Sequence, residues 1–350
     1  MTAPTHSIVW DTGHLGRTEA AVLHAARDIR VEDRPLPPLG VRDVLVEMKS
    51  GGICGSDMHY FADGQNGTNV LQKPTVLGHE AAGVIIASGE ESALEPGTAV
   101  VIEPSLPCGT CATCLSGHSN VCPNGRCFGS PPTDGLFARH TVVPASSVHV
   151  LPDAIPAEIG AAVEPLAVAV WAVERAQVEP GHRVLVTGAG PIGLLVVQVL
   201  AARGVREIVV TDVNDARLAV AAGLGATDAV NTATQHLAAA GFDCLIECSG
   251  VTRALADGIL ALRPAARAVV VGQAKAAVDG IPLGFLQRYE IDLVTAFRYN
   301  NAFPTAIELA ASGKVDLRSI ITSTYPLSDV AAALEAPVSD PSNLKVLIRY

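Results

Sequence analysis

Between residues 21 and 160 the apolar positions fall in short runs cut by glycine and proline. "DVLVEMKSGGICG", "GVIIASG", "GTAVVIEP" and "HTVVPASSVHVLP" are such runs, and they predict the short strands of a mainly β region. Near residue 165 the pattern changes. "RVLVTGAG", "EIVVTD", "FDCLIECSG", "RAVVVGQ" and "IDLVTAF" read as strands, with helices expected at 191–203 and 215–224. This alternation predicts right-handed βαβ units and a parallel sheet. From about residue 301 "AFPTAIELAASGKVD" reads as a helix and "NLKVLIRY" as a final strand. The βαβ rhythm has stopped by then, so the tail is expected to rejoin the first region.

Composition sharpens this α/β reading. The 350 residues are more than one ordinary core accommodates, so two domains are expected. Apolar residues make up 49% and aromatic ones only 4%, which suits parallel strands buried on both faces by small branched side chains. The net charge of −11 repels phosphate backbones and anionic lipid, so neither nucleic acid nor a membrane surface is expected as a partner. The longest apolar stretch, "PIGLLVVQVLAA", is too short for a membrane span. "MTAPTHSIVWDTGHLGR" lacks a secretory pattern, and a cytoplasmic protein is expected.

That compartment bears on "CGTCATCLSGHSNVC", which packs four of the eight cysteines into one loop. Cytosolic thiols stay reduced, so Cys108, Cys111, Cys114 and Cys122 point to a metal rather than to disulfides. Four thiolates leave no position for water or substrate, which makes the site structural. An iron–sulfur cluster takes the same ligands, but no other redox-cluster signature accompanies them.

Gly188, Gly190 and Gly193 form G-x-G-x-x-G. The motif alone says little, but here it follows a strand and opens a helix, with Pro191 and Ile192 in the first turn. Asp212 ends the next strand. This is the context of a Rossmann dinucleotide fingerprint. Asp212 would bind ribose hydroxyls and repel a 2′-phosphate, whereas Arg217 could accept that phosphate. The strand-tip position of Asp212 favours NAD over NADP.

A second ligand set is scattered. Cys54, His79 and Glu80 lie in "GGICGSDMHY" and "VLGHEAAGVIIASG", and Glu164 interrupts the apolar "AVEPLAVAV". Thiolate, imidazole and carboxylate would leave a fourth zinc position open, the layout of a catalytic site. Each residue singly also reads as core or surface.

"GHEAAGVIIASG" fits G-H-E-x2-G-x5-G. With "GGICGSD", the cysteine loop, "EPLAVAV" and "GAGPIG", the chain resembles the zinc-dependent medium-chain dehydrogenase/reductase family from about residue 21 to 350. "GGICGSDMHY", "GSPPTDG", "EPLAVAV" and "AFRYNNAFPTAI" resemble its polyol branch of sorbitol, xylitol and L-idonate 5-dehydrogenases. The resemblance implies a GroES-like catalytic domain at 1–164 and 301–350, and a Rossmann NAD-binding domain at 165–300. It implies one catalytic and one structural zinc, and a homo-oligomer, dimer or tetramer. Cys54, His79 and either Glu80 or Glu164 would hold the catalytic zinc. Ser56 would relay the alcohol proton, and Tyr60, Ser130, Arg298 and Tyr299 would line the pocket. Sorbitol dehydrogenases often have an aromatic residue where this chain has Cys127. The implied reaction oxidises a secondary alcohol of a polyol or sugar acid to a ketone, with hydride passing to NAD. Threonine or 2,3-butanediol dehydrogenases of the same family, and a non-catalytic nucleotide-binding protein on the same fold, are the alternatives.

Overall fold

The structure, a computed structural model, describes residues 16–237, 240–273 and 279–350. The N-terminal stretch read above for a secretory pattern lies mostly outside them. Two large sheets organise the described residues. In the first, Val148–Val150, Ala99–Ile102, Glu80–Ser88, Asp43–Gly52, Lys345–Arg349 and Ile321–Pro326 pair in that order, and His140–Pro144 also pairs with Asp43–Gly52. The tail completes this sheet: Leu347 faces Gly52 in an antiparallel ladder. The last pair, Ile321–Pro326 with Lys345–Arg349, is parallel, and the helix Val330–Ser339 makes its crossover.

The second sheet is parallel throughout. Its spatial order is Asp228–Asn231, Glu207–Asp212, Arg183–Thr187, Phe242–Glu247, Leu262–Val270 and Asp292–Thr295. By chain order this is 3-2-1-4-5-6, the doubly wound arrangement whose ligand crevice opens where the order reverses, beside strand Arg183–Thr187. The strand runs expected for this sheet are present, and within it one strand was missed. Asp228–Asn231 is only four residues long at the sheet edge, too short for a periodic signal.

The helix expected at 191–203 is Pro191–Ala202, and that at 215–224 is Asp215–Gly223. The helix read into "AFPTAIELAASGKVD" spans only Phe303–Ala311. Gly313 follows at a φ of 72°, a left-handed turn that ends it. "VEPLAVAVWAVERA" forms the helix Val163–Ala176. Its Val170 and Val173 share one core with Val184, Val186, Leu195 and Val199. Ala82 and Val101 of the first sheet belong to the same core, so this helix is packed on both sides.

Candidate active site and metal centres

Cys54 caps the helix Gly55–Asp63, and His79 and Glu80 lie where the strand Glu80–Ser88 begins. Their ligand atoms all lie within 4.8 Å of one another. Asp57, fully buried in the first turn of the helix, ties them together. One of its oxygens accepts from the Cys54 N–H at 3.0 Å. The other accepts from the Gly78 N–H at 3.2 Å and lies 3.4 Å from His79 Nδ1. A carboxylate on Nδ1 fixes the ring and turns Nε2 toward the ligand position.

Glu80 is 1% exposed, and both its oxygens accept from Lys345 Nζ at 2.8 Å. That ammonium also donates to the Ile53 carbonyl at 2.9 Å. Gly52 makes room for this pair: a Cβ there would meet Glu80 Oε2 at 1.9 Å. Glu164, at the N-terminal end of the helix Val163–Ala176, stands outside the set of three. Burial pushes its carboxyl up to about 7, and the Glu80 charge adds to this against the opposing pull of His79 and Lys345. Burial opposes a charged His79, yet Asp57 and Cys54 more than offset it and hold the ring above the ordinary histidine range. Two buried carboxylic groups, Glu80 and Glu164, and the Cys54 thiol thus act on the one buried ammonium of Lys345. Sulfur, nitrogen and oxygen donors with an excess of negative charge fit zinc.

The residues expected to line a pocket converge here. Tyr60 is buried, and its hydroxyl accepts from Asn69 at 2.8 Å. Burial pushes its phenol upward, against hydrogen bonds from Asn69 and Ser130. Cys127, also buried, feels the charges of Arg298, His79 and Glu164 and bonds to Ser130. Tyr299 is 1% exposed, and its phenol is raised first by burial and then by the Glu164 charge. Ser56 lies half-buried two positions beyond Cys54.

The four cysteines of the loop form a second cluster. The eight described cysteines are free thiols. Within the loop, sulfur pairs stand 3.5 Å (Cys108–Cys122), 3.7 Å (Cys111–Cys122) and 4.0 Å (Cys108–Cys114) apart. A disulfide needs about 2 Å, whereas thiolates around a tetrahedral zinc at about 2.3 Å lie about 3.8 Å apart. The donor set therefore fits a closed zinc site. Backbone N–H groups of Thr110 and Cys111 bring the Cys108 thiol down to about 5.

At the glycine loop, Gly188 has a φ of 92°. A Cβ on Gly193 would meet Gly188 O at 1.8 Å, so the helix Pro191–Ala202 can approach the loop only with glycine there. Gly190, by contrast, has open space where its Cβ would be, the room a pyrophosphate needs above a helix N-terminus. Asp212 accepts from the N–H groups of Ala189 and Val213 at 2.7 Å and of Asn214 at 3.0 Å. Arg217 Nε donates to the Pro341 carbonyl at 3.1 Å. Sequence reasoning missed Asp57 and Lys345. Asp57 had a signal, standing three residues past the helix cap in capping-box spacing.

Residues 40–153 match the alcohol dehydrogenase GroES-like domain family, and residues 191–312 match the zinc-binding dehydrogenase family. The chain is 34% identical over 340 residues to sorbitol dehydrogenase of Bacillus subtilis, covering 94% of this chain and 96% of that protein. It is 36% identical over 343 residues to L-idonate 5-dehydrogenase of Vitis vinifera, covering 94% and 93%. The crystal structure of L-idonate 5-dehydrogenase from Escherichia coli superposes with a TM-score of 0.89 at 32% identity, over 95% of this chain and 98% of that one. Among similar structures at 28% and 26% identity, one carries NADH and another NADP. Matched along nearly its whole length, with two zinc-fitting donor sets and a dinucleotide loop in place, the chain belongs to the zinc-binding alcohol dehydrogenase family.

Proposed function

We propose that the chain oxidises a secondary hydroxyl of an open-chain polyol or sugar acid to a ketone, with NAD as the hydride acceptor. The carrying observation is the convergence of the Cys54, His79 and Glu80 donor atoms within 4.8 Å of one another, with Glu164 and Cys127 close enough to feel the His79 charge; Tyr60, Ser130, Arg298 and Tyr299 are read as the substrate wall beside them. Cys54 and His79 hold the catalytic metal with Glu80 or Glu164, and the cysteine loop holds a structural one. When bound, zinc supplies Lewis-acid polarisation of the substrate oxygen, and the nicotinamide supplies the hydride acceptor. Ser56 takes part in moving the alcohol proton. Arg298 offers five donors to substrate hydroxyls, or a fork to a carboxylate.

NAD is favoured because the Asp212 carboxylate stands at the strand tip, where a 2′-phosphate would meet a like charge. Arg217 is engaged with the Pro341 carbonyl. The division into a catalytic domain at 1–164 and 301–350 and a cofactor domain at 165–300 belongs to the same reading, as does a cytoplasmic homo-oligomer. Among the described residues no helix is long and apolar enough to cross a membrane.

The test is a panel of L-idonate, sorbitol, xylitol, threonine and 2,3-butanediol, each with NAD and with NADP. The reading expects the highest kcat/KM for one of the first three with NAD. Preference for threonine or butanediol overturns the substrate class, and preference for NADP overturns the ranking of Asp212 over Arg217. Arg298→Lys keeps the charge and loses the fork. It should raise KM sharply for an acid substrate and less for neutral polyols.

A further inference from the structure

The cysteine loop and the segment carrying Arg298 are joined by side chains. Asn300 Nδ2 donates to the Gly117 carbonyl at 2.7 Å, and Ser119 Oγ donates to Asn300 Oδ1 at 3.1 Å. Asn120 Nδ2 donates to the Phe297 carbonyl at 3.0 Å. Gly117, Ser119 and Asn120 all lie between Cys114 and Cys122, so a metal that closes the loop fixes where they stand. Their bonds grip the chain immediately before and shortly after Arg298.

Arg298 needs such a grip. Its φ is 52°, and that of Asn301 is 54°. Side-chain-bearing residues enter this left-handed region at a cost of about 1–3 kcal/mol, and stay there only when their surroundings hold them. On the Phe297 side apolar packing is thin. A cavity of about 370 Å³ lies between loop and segment, lined by Ser105, Asn120, Arg126, Phe297 and Arg298 among others. Phe297 itself is 53% exposed. With a cavity on one side and solvent near the other, the chain at Phe297 and Asn300 is held by these hydrogen bonds to the loop. Tyr299 differs: it is buried and packs edge-on against Phe303 at 5.0 Å. The loop therefore acts on Arg298 more than on Tyr299.

We propose that the cysteine loop is a positioning device for substrate recognition as well as a structural metal site. Ser119, Asn120 and Asn300 are positioning residues that hold Arg298 in the strained backbone geometry from which its guanidinium reaches the substrate. Closure of the loop by its metal thereby sets KM. The inference rests on the reading that Arg298 faces the substrate.

The experiment compares Asn300→Ala, Ser119→Ala and Arg298→Ala in the full-length, zinc-loaded enzyme, with whichever of L-idonate, sorbitol and xylitol the wild type oxidises best. Asn300→Ala removes two hydrogen bonds and should raise KM for that substrate about tenfold. The kcat value should stay within about twofold, because the groups around the metal are untouched. KM for NAD, zinc per chain and Tm should stay near wild type, which separates positioning from general damage. Ser119→Ala removes one bond and should give a smaller rise, about threefold. It carries the comparison if Asn300→Ala folds poorly. A raised KM in Arg298→Ala beside unchanged KM in both other variants overturns the positioning role and leaves the pocket reading standing. Unchanged KM in all three shows that Arg298 points away from the substrate, and both readings fall.

Discussion

Asp57 supports both halves of the Cys54–His79–Glu80 donor set, because it holds the Cys54 backbone with one oxygen and faces His79 with the other. Asn offers one acceptor in place of two, so Asp57→Asn should weaken zinc at this site about 10–100-fold. Chelator competition on the purified protein measures it, and wild-type affinity would remove Asp57 from the site's support. Glu164 gives a pH prediction. Its carboxyl ordinarily titrates near 4.5 and is raised to about 7 in the folded chain. A raised group contributes stability that is present below the ordinary value and lost as pH rises through the folded one. The metal-free protein should therefore lose on the order of 5 °C in Tm between pH 5 and pH 8. His79 works in the same direction, so Glu164→Gln should flatten the profile without levelling it; an unchanged slope would contradict the assignment. The candidate donors stood out in the sequence because thiols, imidazoles and acids in apolar runs are conspicuous. Lys345 did not, since a lysine at the start of the apolar run Val346–Ile348 reads as a solvent-facing flank and its partner Glu80 is 265 positions away.

At the scale of elements, legibility followed contiguity. The glycine loop with its flanking strand and helix is one unbroken segment, and its register, first-turn proline and second-strand acid could all be read. The cysteine loop is equally local. The candidate catalytic set was harder, because Cys54, the His79–Glu80 pair and the neighbouring Glu164 come from three elements that only the fold brings together. The resemblance joined these residues where periodicity could not. The strand Ile321–Pro326 and helix Val330–Ser339 escaped notice: the first is half-exposed and polar at alternate positions, and the second contains Pro337. For the cysteine loop, Cys111→Ser should reduce zinc from about two to about one per chain and lower Tm, since a closed thiolate site contributes folding energy. The kcat value per folded molecule should persist while substrate KM rises through the loosened 297–300 segment. Loss of kcat at unchanged Tm would mean that the loop's metal takes part in the chemistry.

At the scale of the molecule, the candidate catalytic donors and the glycine loop are built on different sheets, and one helix spans the distance. Val163–Ala176 brings Glu164 to the metal site at its first turn and packs along Pro191–Ala202, which begins at the glycine loop. The two ligand sites should then fail separately while the shared core keeps the fold. His79→Ala removes a donor from the metal set and touches no part of the glycine loop. It should lower turnover by at least about a thousandfold, as loss of Lewis-acid catalysis does, and leave NAD affinity by calorimetry within about threefold. Gly193→Val should do the reverse. Even its Cβ would stand 1.8 Å from Gly188 O, so loop and helix must part. NAD binding should then fall below detection while two zinc ions per chain remain. If His79→Ala also abolished NAD binding, or Gly193→Val also emptied the metal sites with the fold intact by circular dichroism, the sites would be coupled through the Val163–Ala176 helix, and the division of labour between the sheets would not hold.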